Sequence, residues 1–291
     1  MEPTDESRRS EARHSVLAPG ARLEKLAGGF AFTEGPTSDA TGAVFFTDQP
    51  NNRILRWSAD RGLSTFLHPA GRANGMYFDA GGHLIACADE KNELWSIAPD
   101  GTVSVLVHAY DGKPLNGPND VWVRPDGGIY FTDPFYPRAW WTHHAMPQNG
   151  QHLYFLSADR RQLRRVVDDL HKPNGIVGTP DGKGLFVADI EEGKTWRYDI
   201  VADGTLSGKT LAADRGSDGL TLDDEGNLYL TGDGVAVCDR SGREVERIPV
   251  PGETWTANVS FGGSDRRMLF ITASTGLYAI PTRVRGANAA K

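Results

Sequence analysis

The chain has 291 residues, room for one large β or α/β domain or for two ordinary ones, and its 34 Gly and 17 Pro against 4 Met argue against a helical bundle or coiled coil. A formal net charge of −7 supplies no global field toward nucleic acid or an anionic membrane surface, so neither is expected as a partner. No charge-free apolar stretch approaches the roughly 18–20 residues of a spanning helix, no apolar region follows Arg8 and Arg9 to make an export signal, and Cys87 and Cys238 sit in apolar segments with no disulfide framework or metal knuckle between them, which fits a cytoplasmic location.

Residues 1–18 are polar and charged and read as a disordered tail. From there one pattern recurs. Unit one carries the apolar run Val44-Phe45-Phe46-Thr47-Asp48, then strands at 54–57 and 64–67. Unit two opens with Met76-Tyr77-Phe78, turns through Gly and Asp, and continues as Leu84-Ile85-Ala86-Cys87-Ala88-Asp89, with further strands at 94–97 and 103–107. Unit three runs Val121-Trp122-Val123, the turn Pro125-Asp126-Gly127-Gly128, Ile129-Tyr130-Phe131-Thr132-Asp133, and strands at 153–156 and 163–167. Units four and five repeat the hairpin around Pro180-Asp181-Gly182 and Asp224-Glu225-Gly226-Asn227, and unit six does so with 259–261 and 268–272. Asp/Gly clusters between β-rich runs predict hairpins, because both residues tolerate the positive φ of tight turns.

Anchored on Gly35, Gly75, Asp120, Gly175, Gly219 and Asn258, the units step by 40, 45, 55, 44 and 39 residues. Four strands per unit at that period predict an all-β fold, a six-bladed β-propeller of four-stranded antiparallel blades, occupying 19–282 as one domain with 283–291 as a C-terminal tail. A β-sandwich followed by a second domain would not explain six evenly spaced hairpins. Unit six is too short for a fourth strand, so residues 21–26 are expected to return and complete the last blade.

In a propeller the connections from each outer strand to the next inner strand all open on one face around the channel. Just before five of the anchors stand Glu34, Asn74, Asn119, Asn174 and Asp218. Singly each is ordinary turn chemistry. Together they would converge on one axis, where two carboxylates repel unless a cation lies between them. Carboxylates and amides without Cys or His suit a hard divalent ion, Ca²⁺ or Mg²⁺ rather than a structural zinc.

The order Glu34-Gly35-Pro36, Asn116-Gly117-Pro118-Asn119-Asp120-Val121, Tyr130-Phe131-Thr132-Asp133-Pro134, Lys172-Pro173-Asn174-Gly175-Ile176, Ser217-Asp218-Gly219 and Ala257-Asn258-Val259 resembles the SMP-30/gluconolactonase/LRE-like family, over residues 30–281. The resemblance implies metal ligation by Glu34, Asn119, Asn174 and Asp218, by Ca²⁺ in the first place with Mg²⁺, Mn²⁺ or Zn²⁺ as alternatives. It also implies that Asp218 acts as general base or nucleophile, and that Asn119 touches substrate or water in some members. In the regucalcin branch an Arg stands where this chain has Gly117. The reaction implied is metal-dependent opening of a lactone ring. A phosphotriesterase or other esterase on the same ring is an alternative, as is a non-catalytic binding scaffold.

The 55-residue step places its excess after Asp133, in a loop with Trp140, Trp141, His143 and His144. It joins the second and third strands of its blade, on the face of the ring, and long loops with large side chains commonly cover sites. Trp140, Trp141 and one of His143 or His144 are therefore expected to wall a pocket for a small-molecule lactone or ester. Asp133, like Asp48, Asp89 and Asp189, is expected to serve a structural role at a strand end.

Overall fold

The computed structural model describes residues 15–287. Six four-stranded antiparallel sheets follow one another in chain order, each strand pairing with the next in sequence. Blade 1 is Thr33–Ser38, Val44–Asp48, Arg53–Ser58 and Gly62–Leu67. Blade 2 is Ala73–Phe78, Leu84–Ala88, Glu93–Ile97 and Val103–Val107. Blade 3 is Val121–Val123, Ile129–Asp133, His152–Leu156 and Leu163–Val167. Blade 4 is Pro173–Gly178, Gly184–Asp189, Lys194–Ile200 and Leu206–Ala213. Blade 5 is Leu220–Leu222, Leu228–Gly232, Gly234–Cys238 and Glu244–Ile248. Blade 6 is Thr256–Gly262, Met268–Ala273 and Gly276–Pro281, completed by Glu24–Gly28.

The ring thus closes with an N-terminal strand, as unit six required. The pairing strand is Glu24–Gly28, set against Gly276–Pro281 with Lys25 opposite Tyr278, so the strand lies two to three residues later than the expected 21–26. This strand covers the outer edge that Gly276–Pro281 would otherwise expose and becomes the outermost strand of blade 6.

Both tails are shorter than expected over the described residues. Val16 and Val284 are buried in the apolar seam of blades 5 and 6 with Tyr229, Val259 and Ile271, and Leu17 bridges Thr282. Burying two valines stabilises the ends by about 1.5–3 kcal/mol each, which holds 15–18 and 283–287 against the propeller; residues 1–14 and 288–291 lie outside the described part.

The blades bury their faces on one another. Strand 2 of every blade is apolar on both sides, as in Val44–Asp48 and Ile129–Asp133, because both faces meet neighbouring blades. Cys87 and Cys238 are buried and unpaired by disulfide. Among the described residues no helix is long and apolar enough to cross a membrane.

Candidate active site

The strand-2 aspartates fix the mouth. Asp48 accepts the backbone N–H of Ala31 and Phe32, Asp133 those of Asn116 and Gly117, and Asp189 those of His171 and Lys172. Each carboxylate grips two consecutive amides of the loop that enters its own blade, so the strand-end role expected of Asp133 holds. Asp89 departs from the pattern. It accepts from Gln49 of blade 1 and, at 2.6 Å, from Arg138 of the long loop.

Having been delivered to the axis, the inner strands break register where the ring residues stand. Bulges fall between Glu34 and Thr37, Ala73 and Met76, Pro173 and Ile176, and Thr256 and Asn258. A bulge re-aims a side chain out of the sheet alternation. In blades 3 and 5 the inner strand begins only at Val121 and Leu220, so Asn119 and Asp218 precede the ladder.

Glycine at the anchors answers crowding on the axis. A Cβ on Gly35 would lie 2.1 Å from the Asn74 carbonyl oxygen, and one on Gly219 would lie 1.9 Å from the Asn258 side chain. Only two anchors carry side chains, Asp120 and Asn258. Both are buried, Asn258 supports the Asp120 carboxylate, and its amide also reaches Glu34. Sequence reading treated both as markers of register; that they alone among the anchors are not glycine was the signal for a further role.

At the mouth Asp218 is held from both sides: the Asn174 amide donates to Oδ1 at 2.8 Å and the Trp255 indole N–H to Oδ2 at 2.6 Å. The same Asn174 amide meets the Tyr136 hydroxyl at 2.9 Å. Glu34 Oε2 accepts the Gly35 amide at 2.8 Å and the Asn258 side chain at 3.3 Å. Asn119 is buried, its backbone bonded to Gly75 and Thr132. Asn74 is buried beside them with its Oδ1 unpartnered.

Burial raises the carboxyl of Glu34 well above its ordinary range, and the charge of Asp218 raises it further. Burial pushes Asp218 up to about 6 against the opposing bonds of Trp255 and Asn174 and the charge of Arg138. Asp120 is pushed by burial to about 7, opposed by the Val121 and Ile176 amides and by Asn258. Three clustered carboxyls, three amide side chains and an orphaned amide oxygen make a set of hard oxygen donors short of positive charge. That fits a divalent cation with oxygen ligation.

A second group of potential ligands, His171, Asp189 and Glu192, brings its atoms within 4.8 Å of one another away from the ring. Its Asp189 already accepts the amides of His171, Lys172 and Glu192, and Glu192 is bonded to Lys194 and Trp196. It is a loop clamp.

From the long loop Tyr136 is the residue that bonds to the ring, while Arg138 ties the loop to Asp89 and its charge is felt at Asp218. Trp141 is buried, donates to the Asp89 carbonyl at 2.7 Å, and packs in one cluster with Phe135 and His143, which also touch each other. Its ring occupies the space beside Gly117, where a Cβ would come within 2.7 Å of the indole. Trp140 lies under the Arg72 guanidinium at 4.5 Å and near Arg138. His143 is half-buried and His144 exposed. Gln148 ties the base of the loop to the carbonyls of Tyr110, Lys113 and Pro114 in a small hairpin that the repeat pattern did not foretell.

Residues 32–275 match the family described as SMP-30/Gluconolactonase/LRE-like region. A gluconolactonase of Zymomonas mobilis is 28% identical over 94% of this chain and 84% of its own length. Lactonase drp35 of Staphylococcus aureus is 26% identical, over 64% of this chain and 56% of its own. The solved structure of a gluconolactonase from Xanthomonas campestris superposes with a TM-score of 0.84 and 30% identity, covering 92% of this chain and 91% of that one.

Proposed function

Since the chain belongs to the SMP-30/gluconolactonase/LRE-like family, we propose that it is a metal-dependent lactonase whose chemistry is performed by the ring of Glu34, Asn119, Asn174 and Asp218. The observation that carries the reading is the pair of buried carboxyls, Glu34 and Asp218, each raised by burial and set among amide oxygens at one mouth. When held by these four side chains, a divalent cation, Ca²⁺ in the first place, supplies charge balance for the carboxylates and polarises the substrate carbonyl.

Asp218 is the base. Its two oxygens are fixed by Asn174 and Trp255, which leaves one lone pair on each for an incoming water. It takes a proton as the water oxygen adds to the lactone carbonyl carbon, and returns that proton to the ring oxygen as the acyl C–O bond breaks. Tyr136 accepts from Asn174, and burial keeps its hydroxyl protonated, so it retains a hydrogen to donate to a substrate oxygen. Trp140, Trp141 and one of His143 or His144 wall the pocket from the blade 2 side. Trp141 takes the space where a side chain at position 117 would project, which favours substrates of a shape other than those bound through a cationic group there.

The test is hydrolysis of sugar lactones, aliphatic lactones and phosphotriesters by pH-stat, with metal restored or chelated. Turnover of a lactone that disappears on chelation and returns with Ca²⁺ is expected. Turnover confined to phosphotriesters, or unaffected by chelation, overturns the reading.

A further inference from the structure

The opposite mouth of the channel opens into a cavity of about 1020 Å³ whose walls include none of the ring residues. Asp120 and Asn258, both buried at the inner strands, do not line it either. Aromatic groups, among them Phe78, Tyr77 and Trp122, form much of the wall, and Arg56, Arg124 and Arg266 stand around it.

Arg266 is the anomaly. The first hairpin turn of each blade closes by the same bond, made by the amides of Gly42, Gly82, Gly127, Gly182, Gly226 and Arg266 to the residue three before. In five blades the donor is glycine with φ between 69° and 91°; in blade 6 an arginine holds φ 61°. A side chain in that region carries strain that glycine does not, and such strain persists where the side chain has a task. The Arg266 guanidinium crosses to blade 1 and donates to the Asp39 carbonyl at 2.7 Å. Burial draws its pKa below the usual value, opposed by the charges of Asp39 and Tyr77.

Of the acids on this wall, Asp39 pairs through Oδ2 with Arg56 at 3.7 Å and accepts from Thr41 and Ala43 on Oδ1, while Asp79 Oδ1 accepts from Gly81 and His83. Among the described residues Arg266 makes no ion pair with a carboxylate, though the Asp39 charge is felt there. Trp122, 1% exposed, directs its indole N–H to the Tyr77 hydroxyl, which fixes the half-buried Tyr77 ring at the cavity wall.

We propose that this cavity is a second small-molecule site, separate from the ring, that takes an amphiphilic aromatic carboxylate, its ring against Tyr77 and Phe78 and its anion against Arg266. Cationic groups over an aromatic floor are complementary to such a molecule, and the volume is at the upper end of small-ligand sites.

Calorimetric titration of the metal-free full chain with 2-naphthoate tests it. Saturable 1:1 binding is expected, undiminished in Asp218→Asn. Arg266→Gly restores the residue of the other five turns, so it should fold as the wild type does and bind at least about tenfold more weakly; Arg266→Asn, which also tolerates positive φ, should do the same. The uncharged 2-naphthamide should bind at least about tenfold more weakly than the acid. No saturation below about 5 mM, equal affinity of the amide, unchanged affinity in both Arg266 variants, or loss of binding in Asp218→Asn would each overturn the proposal.

Discussion

Replacing Asp218 by Asn should stabilise the metal-free protein while disabling it. Its carboxyl is pushed from 3.8 to about 6, chiefly by burial. A shift of about two units, at 1.36 kcal/mol each, makes the ionised carboxylate cost about 3 kcal/mol of folding free energy above pH 6. Asn cannot accept both the Asn174 and the Trp255 hydrogen bonds, so roughly 1 kcal/mol is given back. The net gain is about 2 kcal/mol, or about 5 °C for a domain of this size. Because the folded value lies above the unfolded one, the favourable contribution is complete below about pH 4 and is lost as pH rises to about 6. The advantage of the variant should therefore be absent near pH 4 and full by pH 7. Glu34, relieved of a repulsive neighbour, adds in the same direction. Thermal unfolding in chelator across pH 4–8 measures it, and saturating Ca²⁺ should reverse the order, since binding then stabilises the wild type more. A variant less stable than wild type in chelator at pH 8, or a difference that does not change with pH, would refute the electrostatic account of the ring.

Arg138→Ala leaves the buried Asp89 with Gln49 alone, and should cost about 2 kcal/mol and loosen the long loop, seen as faster proteolysis between 134 and 151. Gly117→Ala adds a Cβ 2.7 Å from the Trp141 ring at φ 152°, so a loss of about 1–2 kcal/mol with altered tryptophan fluorescence and a raised KM is expected. Unchanged fluorescence would show that Trp141 does not rest on that glycine. Trimming the loop around 139–146 to the length of the other repeats should change KM and lactone preference far more than metal content; wild-type selectivity across a lactone panel would remove its role as a wall.

The propeller was legible because one pattern recurs six times, and the ring because Glu34, Asn74, Asn119, Asn174 and Asp218 share one place in it. What surrounds the ring was not. Tyr136 and Arg138 sit in a segment without periodicity, and their approach depends on Asp89 and the hairpin beneath Gln148, contacts made 38 to 49 residues apart in sequence. Trp140 and Trp141 drew attention by size, yet apolar bulk in a loop is as readily buried against its own blade, and Trp141 is 7% exposed. Trp255 reaches Asp218 from blade 6 through a fold-wide contact with no local signature. Val16 lies in the short run Val16-Leu17-Ala18 and Val284 between two arginines, too little apolar sequence to set a period.

On the proposed reading, lactone opening depends on one ion held by four side chains at one mouth. Calorimetric titration of chelated protein with Ca²⁺, paired with lactone hydrolysis at each step, tests it most directly. One ion should bind per chain, hydrolysis should rise in proportion to occupancy, and Glu34→Gln should weaken both together. Full hydrolysis before any Ca²⁺ is added, or binding that survives in Glu34→Gln and Asp218→Asn alike, would contradict it.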